Sequence, residues 1–85
     1  MQTHSSHPAI LKRLKRAEGH LKSIITMLEA ERECVDIAQQ LQAVEKALGS
    51  AKRELVQDHI EHCLEDGADA KSSMRELKAL TKYLS

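Results

Sequence analysis

Eighty-five residues and 9.5 kDa make one small domain (1–85), and 41% hydrophobic residues with no Trp, no Phe and one Tyr leave little to fill a core with. One Pro and three Gly exclude a turn-rich β-sandwich, and the lack of an apolar run of about 18 residues excludes a membrane-spanning helix. The formal net charge of zero excludes no partner, because it is a cancellation between segments.

Residues 1–7 are polar and read as a disordered arm, and Pro8 suits the first position of a helix, where its missing N–H would be unpaired anyway. From there Ile10, Leu14, Ala17, Leu21, Ile24 and Leu28 recur at alternating steps of 4 and 3, with Leu11 and Ile25 widening the stripe, which predicts a helix over 8–29. This segment is basic: Lys12, Arg13, Lys15, Arg16 and Lys22 stand against Glu18 alone. Such a cluster is either a solvated helix face or a phosphate-contacting patch, since sequence-independent DNA affinity comes mostly from Lys and Arg. The acidic stretch Glu29–Glu33 interrupts the period and predicts a short turn, although no Gly or Pro marks it.

Ile37, Leu41, Val44, Leu48, Ala51 and Leu55 repeat the same steps and predict a second helix over 33–64, with Cys34 just ahead of the seam and His59 just after it. Asp66-Gly67 is a stop signal. Ser73 with Glu76 has the form of a capping box, and Met74, Leu77, Leu80 and Leu84 supply the stripe of a third helix over 70–84. Eleven acidic and four basic residues fall in 29–69, and four basic residues face one acidic residue in 70–85, so an acidic middle separates two basic ends. No strand pattern occurs, and the expected fold is all-α.

A second helix of about 30 residues is roughly 45 Å long at 1.5 Å per residue. Neither the first helix nor the shorter third can cover all of it. The uncovered seam predicts an obligate oligomer, an antiparallel dimer built on the second helix with a four-helix-bundle core, and a dimer of such dimers.

Two Cys without an export-type segment point to thiols in a reducing cytoplasm. His59 and Cys63, four apart, share one helix face about one turn apart, a spacing that suits two ligands of one metal ion. Cys34 is the other thiol, and a Cys on an apolar seam is otherwise a small core hydrophobe. Along one helix the 25 residues from Cys34 to His59 span about 37 Å, which no single ion bridges. In an antiparallel dimer the start of one long helix lies beside the end of its partner, so Cys34 of one chain meets His59 and Cys63 of the other. Two thiolates and one imidazole favour Cu(I); Zn(II) fits with a fourth ligand, and Ni(II) or Co(II) fit if His4 or His7 of the arm closes the site.

These residues resemble the small all-helical bacterial repressors of the CsoR/RcnR/FrmR group, which sense copper, nickel or cobalt, formaldehyde or sulfane sulfur. The resemblance runs from about Leu11 to Leu84. It rests on Lys12-Arg13-Leu14-Lys15-Arg16, Glu18-Gly19-His20-Leu21, Met27-Leu28-Glu29, Glu33-Cys34-Val35-Asp36-Ile37, Gln40-Leu41-Gln42-Ala43-Val44 and His59-Ile60-Glu61-His62-Cys63. It implies a homotetramer that binds operator DNA when empty and releases it on binding its inducer. Cys34, His59 and Cys63 match the ligands of the copper-sensing members, and Arg13 with Lys12, Lys15 and Arg16 matches the DNA-contacting surface. Glu76 matches a glutamate that supports the ligands from behind. Two positions depart from the copper-sensing pattern: Glu33 stands where an aromatic residue often precedes the first Cys, and the extra N-terminal ligand of nickel-type members falls near Gln2, with His4 close by.

The function expected is therefore a Cu(I)-responsive repressor of metal efflux or homeostasis genes. The alternatives are a Ni(II)/Co(II) repressor, a sensor of formaldehyde or sulfane sulfur through the Cys34 thiol, and a cytosolic copper buffer without DNA binding. Glu31, Glu33 and Asp36 around Cys34 oppose a reactive thiolate. No nucleophile–base constellation suggests an enzyme.

Overall fold

The computed structural model describes residues 7–66 and 70–84, with the side chains of 7–62 and 74–84. Three helices follow one another: α1 over His7–Glu29, α2 over Cys34–Asp66 and α3 over Ala70–Thr81. Among the described residues there is no strand. The first helix begins at His7, so that residue belongs to α1 and not to the arm, and residues 1–6, with His4, lie outside the described part.

The α1–α2 turn closes without glycine. The Glu31 N–H donates to the Leu28 carbonyl (3.1 Å) and the Arg32 N–H to the Met27 carbonyl (3.0 Å), the paired bonds of a Schellman cap. Of these two donors Glu31 takes the left-handed conformation, at φ 56°, a position Gly fills at least cost. Directly after the turn the Ile37 N–H reaches the Glu33 carbonyl (3.1 Å), so Glu33 caps α2 and Cys34 is its first helical residue.

With so short a turn α1 lies antiparallel on α2, and the register decides which apolar residues meet. The buried residues of α1 are Ile10, Ala17 and Ile24, seven apart; those of α2 include Ile37, Val44 and Ala51, again seven apart. Ile24, Ile37 and Val44 form one buried cluster, with Met27 packed against it. Val56 is buried towards the far end of α2, the helix on which α3 also packs. Among the described residues α1 and α3 both pack on α2 and not on each other.

The expected seam is thus only half used within the chain. Leu14, Leu21 and Leu28 on α1 and Leu41, Leu48 and Leu55 on α2 belong to the same 4–3 pattern, and all remain 40–58% exposed. The molecule is a plate of 54 × 23 × 13 Å, about one helix thick. Its radius of gyration is 17.1 Å, where a compact chain of this length has about 12 Å. Its accessible surface of 6826 Å² exceeds the roughly 5000 Å² of a compact monomer of this mass.

Two sequence expectations at α3 are corrected. Ser73 does not open the helix, because α3 already starts at Ala70, and Glu76 makes a tertiary contact with His59. The helix also ends at Thr81 rather than 84: Tyr83 and Leu84 donate to the Leu80 and Thr81 carbonyls (2.9 and 3.3 Å), three-residue bonds that tighten the chain into a turn.

Glu31→Gly should stabilise the protein by roughly 0.5–1 kcal/mol, because Gly accepts the left-handed conformation without the Cβ penalty. The measurement is the urea midpoint at fixed protein concentration, and a midpoint at or below wild type would refute this account of the turn.

Candidate metal centre and basic cleft

The two long helices divide the plate into two unlike faces. At 100° per residue, Leu14, Leu21 and Leu28 lie to one side of the buried column of α1, and Arg13, Arg16 and His20 to the other. On α2, Leu41, Leu48 and Leu55 fall on the first side, and Gln40, Ala47, Ser50 and Glu54 on the second. Two clefts follow these faces. One is apolar, lined by His7, Ile10, Leu11, Leu14 and Leu55; the other is basic, lined by Arg13, Arg16, Ala17, His20, Ala47 and Ser50.

Of the expected ligands, Cys34 and His59 belong to the apolar face. Cys34, Leu41, Leu48 and Leu55 follow one another at intervals of seven, and His59 comes one turn later in the same arc of the helix. Cys34 is an exposed free thiol at the start of α2. His59 is half-buried towards the other end, some 37 Å away along the axis. Position 63 is one turn beyond His59 on α2, and the Cys63 side chain lies outside the described residues. Within one chain the structure does not bring Cys34 to His59, and among the described residues no three His, Cys, Asp or Glu side chains gather around a common point.

Helix α3 fixes the imidazole. His59 Nε2 donates to Glu76 Oε1 (2.5 Å), a contact between two partly exposed groups. A proton held on Nε2 leaves the lone pair on Nδ1, the tautomer that ligation through Nδ1 requires, and a carboxylate behind an imidazole raises its donor strength. Glu76 thus stands behind the imidazole.

On the polar face Lys12, Arg13, Lys15 and Arg16 are all exposed on α1. Arg13 and Arg16 line the cleft against α2, whereas Lys12 and Lys15 point further round the helix. Three features here escape a sequence reading. Arg13 forms an ion pair with Glu54 across the seam. His20 Nε2 donates to the Gln40 Oε1 (2.5 Å) in a partly buried position. Ala47 and Ser50 keep α2 low beside the arginines, leaving the cleft open. The bonded partners are 20 and 41 residues apart in sequence, so only the antiparallel register reveals them.

Fold and residues together define a class: a three-helix chain with a thiol and an imidazole on the open seam of its long helix and a basic helix turned to the other side. The chain belongs to the metal-sensitive transcriptional repressor family, whose model matches residues 6–85. It is 49% identical over 55 residues to the copper-sensing transcriptional repressor CsoR of Mycobacterium ulcerans (strain Agy99), covering 65% of this chain and 47% of that one. The match to the copper-sensing transcriptional repressor CsoR of Bacillus subtilis (strain 168) is 39% over 71 residues, covering 80% and 70%. The chain spans about half the length of the mycobacterial CsoR relatives it matches. Among solved structures, the nickel-responsive transcriptional regulator InrS superposes with a TM-score of 0.83 at 27% identity, covering 100% of this chain and 99% of that one. The all-α three-helix fold and the family expected from the sequence are those found.

Replacing Glu76 by Ala should loosen α3 without disturbing the α1–α2 pair. Amide exchange over 74–80 is expected to rise about two- to fivefold, the worth of one partly exposed hydrogen bond. Equal acceleration in α1 would show that the contact supports the whole fold instead.

Proposed function

We propose that this chain is a metal-responsive transcriptional repressor that binds operator DNA through α1 when metal-free and releases it when Cu(I) is bound. The observation that carries the reading is the column Cys34–Leu41–Leu48–Leu55 with His59 one turn beyond: the expected ligands stand at the two ends of the apolar stripe that the chain leaves uncovered. A second copy laid antiparallel on that stripe buries the leucines and sets Cys34 of one chain beside His59 and Cys63 of the other. Such interfaces are isologous, so each dimer has two equivalent sites, and a dimer of dimers covers the leucines still open on α1.

The donor set fits the metal. Two thiolates and an imidazole on Nδ1 are soft ligands in low number, which suits Cu(I), and the CsoR relatives are named copper-sensing. The second reading is Ni(II), supported by the nickel-responsive structural neighbour and by His4 and His7 near the start of the chain. Neither reading involves catalysis, and both place the protein in the cytoplasm with DNA. No helix among the described residues is long and apolar enough to cross a membrane.

Metal and DNA then bias one assembly in opposite directions, and each weakens the other's affinity by the same factor. The test is an anaerobic titration with Cu(I) and, separately, Ni(II), following release of a labelled duplex from the promoter region of its own gene. Cu(I) should release the DNA while thiolate absorption grows; release by nickel alone would overturn the copper assignment. Cys34→Ala should bind the duplex about as wild type and stay bound when Cu(I) is added. Arg13→Ala with Lys15→Ala should bind more weakly, with a log–log salt slope shallower by up to about 0.9 for each phosphate no longer neutralised. An unchanged slope would remove α1 from the interface.

A further inference from the structure

Resting on the repressor reading, the polar face shows a feature which that reading does not use. Arg13 carries positive charge on the face proposed to meet DNA, yet its guanidinium is engaged by the Glu54 carboxylate of α2. Beside this pair lies the cleft, lined by the cationic Arg16, by His20 and by the Ser50 hydroxyl, with Ala47 small enough to keep it open. The ionisable side chains lining the cleft are all basic, and Glu54 is the acid paired with one of them.

We propose that Glu54 is a guard on the DNA site: its carboxylate competes with a backbone phosphate of DNA for the Arg13 guanidinium and so sets how tightly the empty repressor holds its operator. A carboxylate and a phosphodiester offer the same fork of two oxygens and the same single negative charge to a guanidinium, so they are alternatives at one donor. The exposures of the two side chains, 50% for Arg13 and 39% for Glu54, make the pair weak enough to exchange. While the pair is closed, Arg13 is neutralised and a negative oxygen stands where a phosphate would approach. When a phosphate enters, Arg13 must turn towards it and Glu54 returns to solvent. Glu54 is a positioning residue here, acting on DNA only through Arg13.

Glu54→Gln keeps the size of the side chain and a hydrogen-bonding oxygen while removing its charge. With the full-length protein and the labelled promoter duplex, this variant should bind about two- to fivefold more tightly than wild type for each pair facing the DNA, with a steeper salt slope. In an Arg13→Ala background the same substitution should change neither affinity nor slope, and this coupling separates the guard from a mere change in net charge. Exchanging chloride for inorganic phosphate at matched ionic strength should leave the gain in place; its loss would give the cleft to a free anion and overturn the proposal. Tighter binding that persists without Arg13, or Glu54→Gln binding like wild type while Arg13→Ala binds more weakly, would refute the guard and leave the repressor reading standing. Failure of the wild-type chain to bind any promoter duplex would remove the repressor reading itself.

Discussion

The packing of α1 on α2 consumes one heptad column from each helix and no more. Two helices in contact can bury only the strip between them, and here that strip is Ile10, Ala17 and Ile24 against Ile37, Val44 and Ala51. The rest of the molecule follows from what this leaves over. Because α3 is too short to cover α2 and does not pack on α1, the plate stays one helix thick, and its apolar and polar faces remain distinct. The apolar face holds the leucines with Cys34 and His59; the polar face holds the arginines and their cleft. One register, set by the short turn between Glu29 and Cys34, thus sorts the two proposed activities to opposite sides of a single layer.

That turn is built for its task by backbone hydrogen bonds rather than by composition. Its two cap bonds hold Glu31 left-handed and deliver the chain straight into α2, so that Cys34 is held at the first helical position. A looser connection would let the register drift, and a shift of a single residue would carry Arg13 away from Glu54 and His20 away from Gln40. Glu31 also brings acid to a short segment that already has Glu33 and Asp36, so the surroundings of Cys34 are negative on the side of the turn.

Much of this was legible in the sequence. The 4–3 spacing gave both long helices, because an amphipathic helix writes its period directly into the chain, and the pair His59 and Cys63 was visible from the same geometry. What could not be read was the division of the seam. Leu14 and Ala17 both fit the apolar pattern, but whether a position faces its own chain or another depends on the antiparallel register, which is a long-range property. Ala17 and Ala51 give the clue in retrospect: small residues in the column let two helices approach closely, while the leucines beside them need a partner further away. The Ser73 cap failed because α3 starts three residues earlier, at Ala70, which a short polar motif does not reveal. The Arg13–Glu54 pair had no local signal at all.

The continuity of α2 gives the two faces a short line of communication. Glu54 and His59 are five residues apart on one unbroken helix, about 7.5 Å along its axis and on different sides of it. A ligand drawn to the imidazole therefore need not send a signal down the 33-residue length of the helix. A roll of α2 about its own axis would carry His59 and the Glu54 carboxylate in opposite directions across the plate. The two proposed sites are separated by the thickness of a single helix.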